Sequence, residues 1–209
     1  MDKHIRIPNQ TLELKDCKIV HQMIYQTPLF EISIDGIDNK KLEEDIYKLK
    51  EDDKDGITLS NWGGWHSQIQ YNNDVSSIYQ PLIDKITFIL PKLPFYPAIS
   101  KIVSLSIWTM VNGKYSYNSS HNHPGCDISG VYYVKVPKGE CGGISFIDPR
   151  QGYTYGNRFF VERYTGGEST GREPIEGNMY LFPSCLEHCV LTNKVDDDRI
   201  AISFNMVVE

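Results

Sequence analysis

The chain reads as an α+β protein that is mainly β, with helices early and strands late, and three observations carry this. Two amphipathic segments, Lys40–Lys50 and Val75–Leu90, return apolar residues at three and four positions, the period of a helix with one buried face. From Ile99 onward, short runs rich in β-branched and aromatic residues are punctuated by turn-forming Gly, Pro and Asn. The chain of 209 residues, 40% hydrophobic and 23% charged, is long enough to bury a sizeable core. Helices followed by many short strands suggest an antiparallel sandwich or barrel in the second half. We expect one domain over 1–209, with a helical part at about 23–98 and a β core at about 99–208.

Each element has its own signal. Met23–Ile34 alternates but is broken by Thr27-Pro28, so it reads as an early strand pair or an edge strand. Asp38-Asn39 caps the first helix, whose apolar face is Leu42, Ile46 and Leu49. Glu51–Gly56 is a solvated charged loop. In Ser60-Asn61-Trp62-Gly63-Gly64-Trp65-His66-Ser67 the glycines permit tight turns and the tryptophans bring large buried area. That makes a structural corner or, second, a cavity wall, with His66 a hydrogen-bonded packing residue. The second helix carries Ile78, Leu82, Ile83, Ile86 and Ile89 and stops at Pro91. Strands follow at Ile99–Met110, Ile128–Val134, around Gly142–Arg150, at Asn178–Pro183 and at Arg199–Val208. Tyr153–Thr170 is polar, aromatic and Gly-rich without period, a long loop suited to a lid.

Composition excludes several classes. A net charge of −6 gives no electrostatic footprint for nucleic acid, which is disfavoured as a partner. No apolar run reaches about 18 residues, and Met1-Asp2-Lys3-His4 opens without an apolar signal core, so we expect no membrane association and a cytoplasmic location. Cysteines at 17, 126, 141, 185 and 189 form no Cys-x-x-Cys pair and read as packed, reduced thiols, with Cys185 and Cys189 flanking His188.

The chemistry centres on Ser119-Ser120-His121-Asn122-His123-Pro124-Gly125. Residues at i and i+2 of an extended chain share a face, so His121 and His123 can aim at one atom. A third imidazole, His188, can reach them from a later loop, and neutral imidazole suits Fe, Zn, Cu or Ni. Alternation in the last strand sends Ile200, Ile202 and Phe204 to one face and Arg199, Ala201, Ser203 and Asn205 to the other. An arginine among small polar residues can grip a carboxylate, with Ser129 and Tyr133 as further donors. The alternative for Arg199 is a surface salt bridge to Asp196, Asp197 or Asp198.

Taken together, Ser60–Ser67, His121-Asn122-His123-Pro124-Gly125, Ser129–Val134, Phe146-Ile147-Asp148-Pro149-Arg150, Leu181-Phe182-Pro183-Ser184, His188 and Arg199–Asn205 resemble the Fe(II)/2-oxoglutarate-dependent oxygenase family of phages and marine bacteria, in order and over roughly 28–207. The resemblance implies a double-stranded β-helix (jelly roll) with the N-terminal helices packed on one sheet, and Fe(II) and 2-oxoglutarate as cofactor and cosubstrate. It implies a dioxygenase that hydroxylates an unidentified substrate and releases succinate and CO2, in the host cytoplasm if the gene is a phage's. Carried over by residue, His121 and His188 are metal ligands, and Arg199 binds the cosubstrate with help from Tyr133, Ser129 or Ser203. His123 stands where such enzymes usually place Asp or Glu, with Asp127 as a substitute carboxylate. The competing expectations are a jelly-roll module that binds a metal and a small acid without oxidation, and a metal-free scaffold. A homodimer stays open, as does the substrate.

Overall fold

The computed structural model describes residues 10–14, 17–21, 27–94, 99–150 and 169–209. In chain order the elements are β1 Gln10–Leu14, β2 Cys17–His21, β3 Phe30–Ser33, α1 Asn39–Asp52, β4 Asn61–Trp62, β5 Trp65–His66, β6 Gln70–Tyr71, α2 Gln80–Ile89, β7 Ile102–Asn112, β8 Tyr117–His121, β9 Ile128–Lys135, β10 Ile144–Ile147, β11 Ser169–Arg172, β12 Asn178–Pro183, β13 His188–Val190 and β14 Arg199–Val208. β1 and β2 pair with each other. The rest form a major sheet, ordered β3-β12-β9-β14-β7-β5 with β6 also on β7, and a minor sheet, ordered β11-β10-β13-β8-β4. The two antiparallel sheets make a double-stranded β-helix. No described helix is long and apolar enough to cross a membrane.

Period-two alternation decides which face of the major sheet does what. Tyr132 and Val134 of β9, Met179 and Leu181 of β12, and Ile200, Ile202, Phe204 and Met206 of β14 join Leu42 and Ile46 of α1 and Leu82 and Ile86 of α2 in one apolar cluster. Their neighbours Val131, Tyr133, Tyr180, Phe182 and Ala201 turn the other way, towards Ile144 and Phe146 of the minor sheet. Covered on both faces, β9 is buried from Ile128 to Val134, which is why it reads as a largely apolar and aromatic run. Burying Leu42 and Ile46 stabilises the helix-to-sheet contact by about 1.5–3 kcal/mol per side chain.

Three sequence expectations change in detail. α1 is capped as expected, the Asp38 carboxylate accepting from Lys41 N, but α2 starts at Gln80 rather than Val75. Pro81 sits in its first turn, where a missing N–H costs nothing; deeper in a helix it would break a backbone bond, so 3-10 turns at Asn72–Asp74 and Ser77–Tyr79 precede it. His188 opens a short strand instead of lying in a loop. In the Trp62–Trp65 corner only Trp65 is buried, its Nε1 donating to Asp53 O at 2.7 Å, while Trp62 is 61% exposed and stacked on Tyr117. The proposed lid at Tyr153–Thr170, with Asn157, Arg158 and Arg163, lies almost wholly outside the described residues.

Candidate metal centre and cosubstrate cavity

Strand pairing brings the histidines together. β13 runs antiparallel to β8 with His188 opposite His121, and the chain after β8 bends so that His123 N donates to Ser184 O at 2.9 Å. Ring centroids are 4.5 Å apart for His121 and His188, 5.0 Å for His121 and His123, and 5.2 Å for His123 and His188. One nitrogen from each ring lies within 4.8 Å of the other two.

Their electronic state suits metal ligation. His121 Nδ1 lies 2.7 Å from Ser119 O and His188 Nδ1 2.8 Å from Leu186 O. A carbonyl can only accept, so each Nδ1 carries a proton, and it is Nε2 that can offer a lone pair to a metal. Burial, with the neighbouring imidazoles adding to it, lowers His123 to about 3, and burial lowers His188 to about 4. Both are therefore neutral donors at neutral pH. Together with His121 they make a set of three imidazoles, which suits Fe(II) and equally Zn, Cu or Ni. Phe182 packs against His188 at 4.8 Å, and Trp108 lies edge-on to His123 at 5.9 Å.

Among the described residues no carboxylate joins this group. Asp127 is exposed, and its Oδ2 accepts from Val208 N at 3.0 Å. Cys185 and Cys189 flank His188 in sequence but do not line the cavity beside it, whereas Cys126 does.

That cavity, of about 480 Å³, lies between the sheets. Arg199, Ala201, Ser203 and Asn205 of β14 line one wall with Ser129, Val131 and Tyr133 of β9, on facing register positions. Arg199 is 2% exposed, and its Nη1 donates to Cys141 O at 2.6 Å and to Gly142 O. Gly142 holds φ +75°, and a Cβ there would lie 2.1 Å from Leu191 O and 2.9 Å from Arg199 Nη1, so the turn under the guanidinium requires glycine. The salt-bridge alternative for Arg199 does not hold: Asp196 pairs with Lys114, Asp197 with Lys135, and Asp198 accepts from Tyr47. Burial lowers the Arg199 pKa, yet a guanidinium stays charged.

The remaining wall residues differ in what they offer. Burial raises Tyr133, against the opposing pull of Arg199, so its phenol stays a donor. Ser129 Oγ lies 2.7 Å from Asn205 Oδ1 and 2.8 Å from Ser184 Oγ. Its one proton goes to the amide oxygen, which removes Ser129 as a free donor and leaves Tyr133 and Ser203. His66 is the hydrogen-bonded packing residue expected, Nδ1 2.6 Å from Ser67 O and the ring stacked 5.7 Å from Trp108, and it also lines the cavity. Trp108, Asn112 and Asn118 line it too. Trp108 could have been found from its place among small residues in an alternating strand. The two asparagines carry no spacing signal.

A double-stranded β-helix that brings three imidazoles and a buried arginine to one cavity can hold a metal and a 2-oxo acid side by side. Residues 106–205, which carry these side chains, match the family described as "Putative 2OG-Fe(II) oxygenase", enzymes that use Fe(II) and 2-oxoglutarate. No curated protein matches the sequence. Among solved structures, a prolyl-4-hydroxylase from Pseudomonas putida superposes with a TM-score of 0.55 at 11% identity, over 87% of this chain and 92% of that one. The viral collagen prolyl hydroxylase of Paramecium Bursaria Chlorella virus-1, in a 2-oxoglutarate complex, gives 0.56 at 13%, over 85% and 94%. HygX from Streptomyces hygroscopicus with iron bound gives 0.54 at 12%, over 87% and 82%. At these identities the likeness concerns the fold.

Proposed function

We propose that the chain is an Fe(II)- and 2-oxoglutarate-dependent dioxygenase that hydroxylates a substrate in this cavity and releases succinate and CO2. His121, His123 and His188 hold the iron, and Arg199 binds the far carboxylate of the cosubstrate. The observation that carries the reading is the convergence of three imidazoles on a cavity whose buried arginine has no carboxylate partner among the described residues.

With iron and 2-oxoglutarate bound, the pair supplies the oxidising chemistry: O2 is reduced as the 2-oxo acid is decarboxylated, and one oxygen atom enters a C–H bond of the substrate. The protein's own groups hold the parts in place. Ser119 O and Leu186 O fix the tautomers of His121 and His188, and burial keeps His123 and His188 unprotonated. Cys141 O and Gly142 O anchor one nitrogen of Arg199 and leave its other donors for an anion, beside the Tyr133 hydroxyl. Trp108 and Phe182 pack against His123 and His188 and hold the two rings in place.

The absence of a carboxylate from the histidine group favours a second reading, a module that binds metal and a small acid without turnover. Reconstitution with Fe(II) and 2-oxoglutarate followed by exposure to O2 separates the two. The dioxygenase gives iron-dependent succinate, lost in His188→Ala; metal and 2-oxoglutarate bound with no succinate, even across a panel of added substrates, supports the module.

A further inference from the structure

The cavity shared by the three imidazoles has a one-sided charge. Of the described side chains that line it, none is Asp, Glu or Lys, and Arg199 is the one permanently charged group. The nearby acids lie outside the lining: Asp127 is exposed and accepts from Val208 N, and Glu187, which accepts from Ser120 Oγ at 2.6 Å, is partly exposed, so water screens their charges. Three neutral imidazoles subtract nothing from the charge of a divalent metal. With both bound, Fe(II) and Arg199 would bring three positive charges and 2-oxoglutarate two negative ones, so one positive charge would be left over within the cavity. A ligand set containing a carboxylate would leave none. In a cavity walled by Trp108, Met110, Val131 and Phe182, such a charge is felt far more strongly than at a surface.

A second feature points the same way. Asn112 Nδ2 donates to Asn118 Oδ1 at 3.3 Å, and Asn118 Nδ2 donates to Ser60 Oγ at 3.1 Å. All three residues line the cavity. The chain of donors runs towards Ser60, whose oxygen is already accepting, and this leaves the serine proton for an acceptor in the cavity. The volume of about 480 Å³ suits a small molecule.

Resting on the dioxygenase reading, we propose that the substrate is a small molecule carrying a carboxylate, drawn by the positive charge that the three-histidine set leaves uncompensated and met by the Ser60 hydroxyl. Cationic side chains and amines are repelled by the same charge.

The test uses the whole protein loaded with Co(II) and saturated with 2-oxoglutarate, titrated calorimetrically at low ionic strength with hexanoate, hexanamide and hexylamine, which share a shape and carry charges of −1, 0 and +1. The acid is expected to bind at least about tenfold tighter than the amide, and the amine not to bind. Ser60→Ala should weaken the acid roughly threefold to tenfold with cobalt and 2-oxoglutarate binding unchanged. His123→Asp, which adds the missing negative charge, should bring the acid-to-amide ratio towards one. Equal affinity for acid and amide, no binding of the acid, or preference for the amine, on protein that holds cobalt and 2-oxoglutarate, overturns the proposal. Failure to hold cobalt or 2-oxoglutarate overturns the dioxygenase reading itself, and this inference with it.

Discussion

His123 and Arg199 set the electrical character of the site. His123 stands as a neutral ring where a carboxylate was expected, so a metal held by the three imidazoles would keep its full charge, across the cavity from Arg199, buried and braced on Cys141 O and Gly142 O. Truncating Arg199 removes the fork that would grip 2-oxoglutarate without touching an imidazole. In Arg199→Ala we expect metal affinity to stay and 2-oxoglutarate affinity to fall roughly 10- to 100-fold, measured by calorimetry on the metal-loaded protein; equal 2-oxoglutarate affinity would remove Arg199 from this role. At this scale much was legible. His121 and His123 share a face because strand geometry repeats every two residues, and Arg199 shares one with Ser203 and Asn205 for the same reason. The engagement of the Ser129 proton by Asn205 was not legible, because it depends on which strand lies beside β9. Nor was the Asn112–Asn118–Ser60 chain, which joins three segments across two sheets.

Among the elements, β9 bears the tightest packing. A Cβ on Gly130 would lie 2.3 Å from Phe204 Cζ and 2.7 Å from Leu181 Cδ2, so the neighbouring strands use the space a side chain would need. Gly130→Ala should cost about 1–3 kcal/mol, read as a lower urea midpoint with an unchanged slope; an unaltered midpoint would mean that the Phe204 ring gives way freely. Long elements with a sustained period were readable: α1 with its Asp38 cap, and β14 over the span expected. Short ones were not. β13 has three residues, too few to show a period, and β4 and β5 have two each. The α-helical start of α2 was overestimated because apolar spacing continues through 3-10 turns, whereas Pro81 decides where the α-helical ladder can begin.

Over the whole molecule, an interleaved strand order builds the site: β9 lies between β12 and β14, and β13 between β10 and β8, so residues far apart in sequence meet at one end of the cavity. Hydrophobic periodicity gives the faces of such strands but not their neighbours, which is why a sandwich could be read from the residues and this order could not. The enclosure has a consequence for stability. Burial lowers His66, His123 and His188 from 6.5, to about 3 for His123 and about 4 for His188. Between those values and 6.5 the unfolded chain binds protons that the folded chain does not. Stability of the metal-free protein should therefore fall as pH drops from about 6.5 towards 4, seen as a falling urea midpoint, and a flat midpoint would contradict the burial of these rings. The most direct test of the account is anaerobic titration of the protein with Fe(II) and then 2-oxoglutarate, followed by visible absorption. A saturable metal-to-ligand charge-transfer band that needs both components, and is absent in His188→Ala, is the result predicted; tight Fe(II) binding with no band at any 2-oxoglutarate concentration would contradict it.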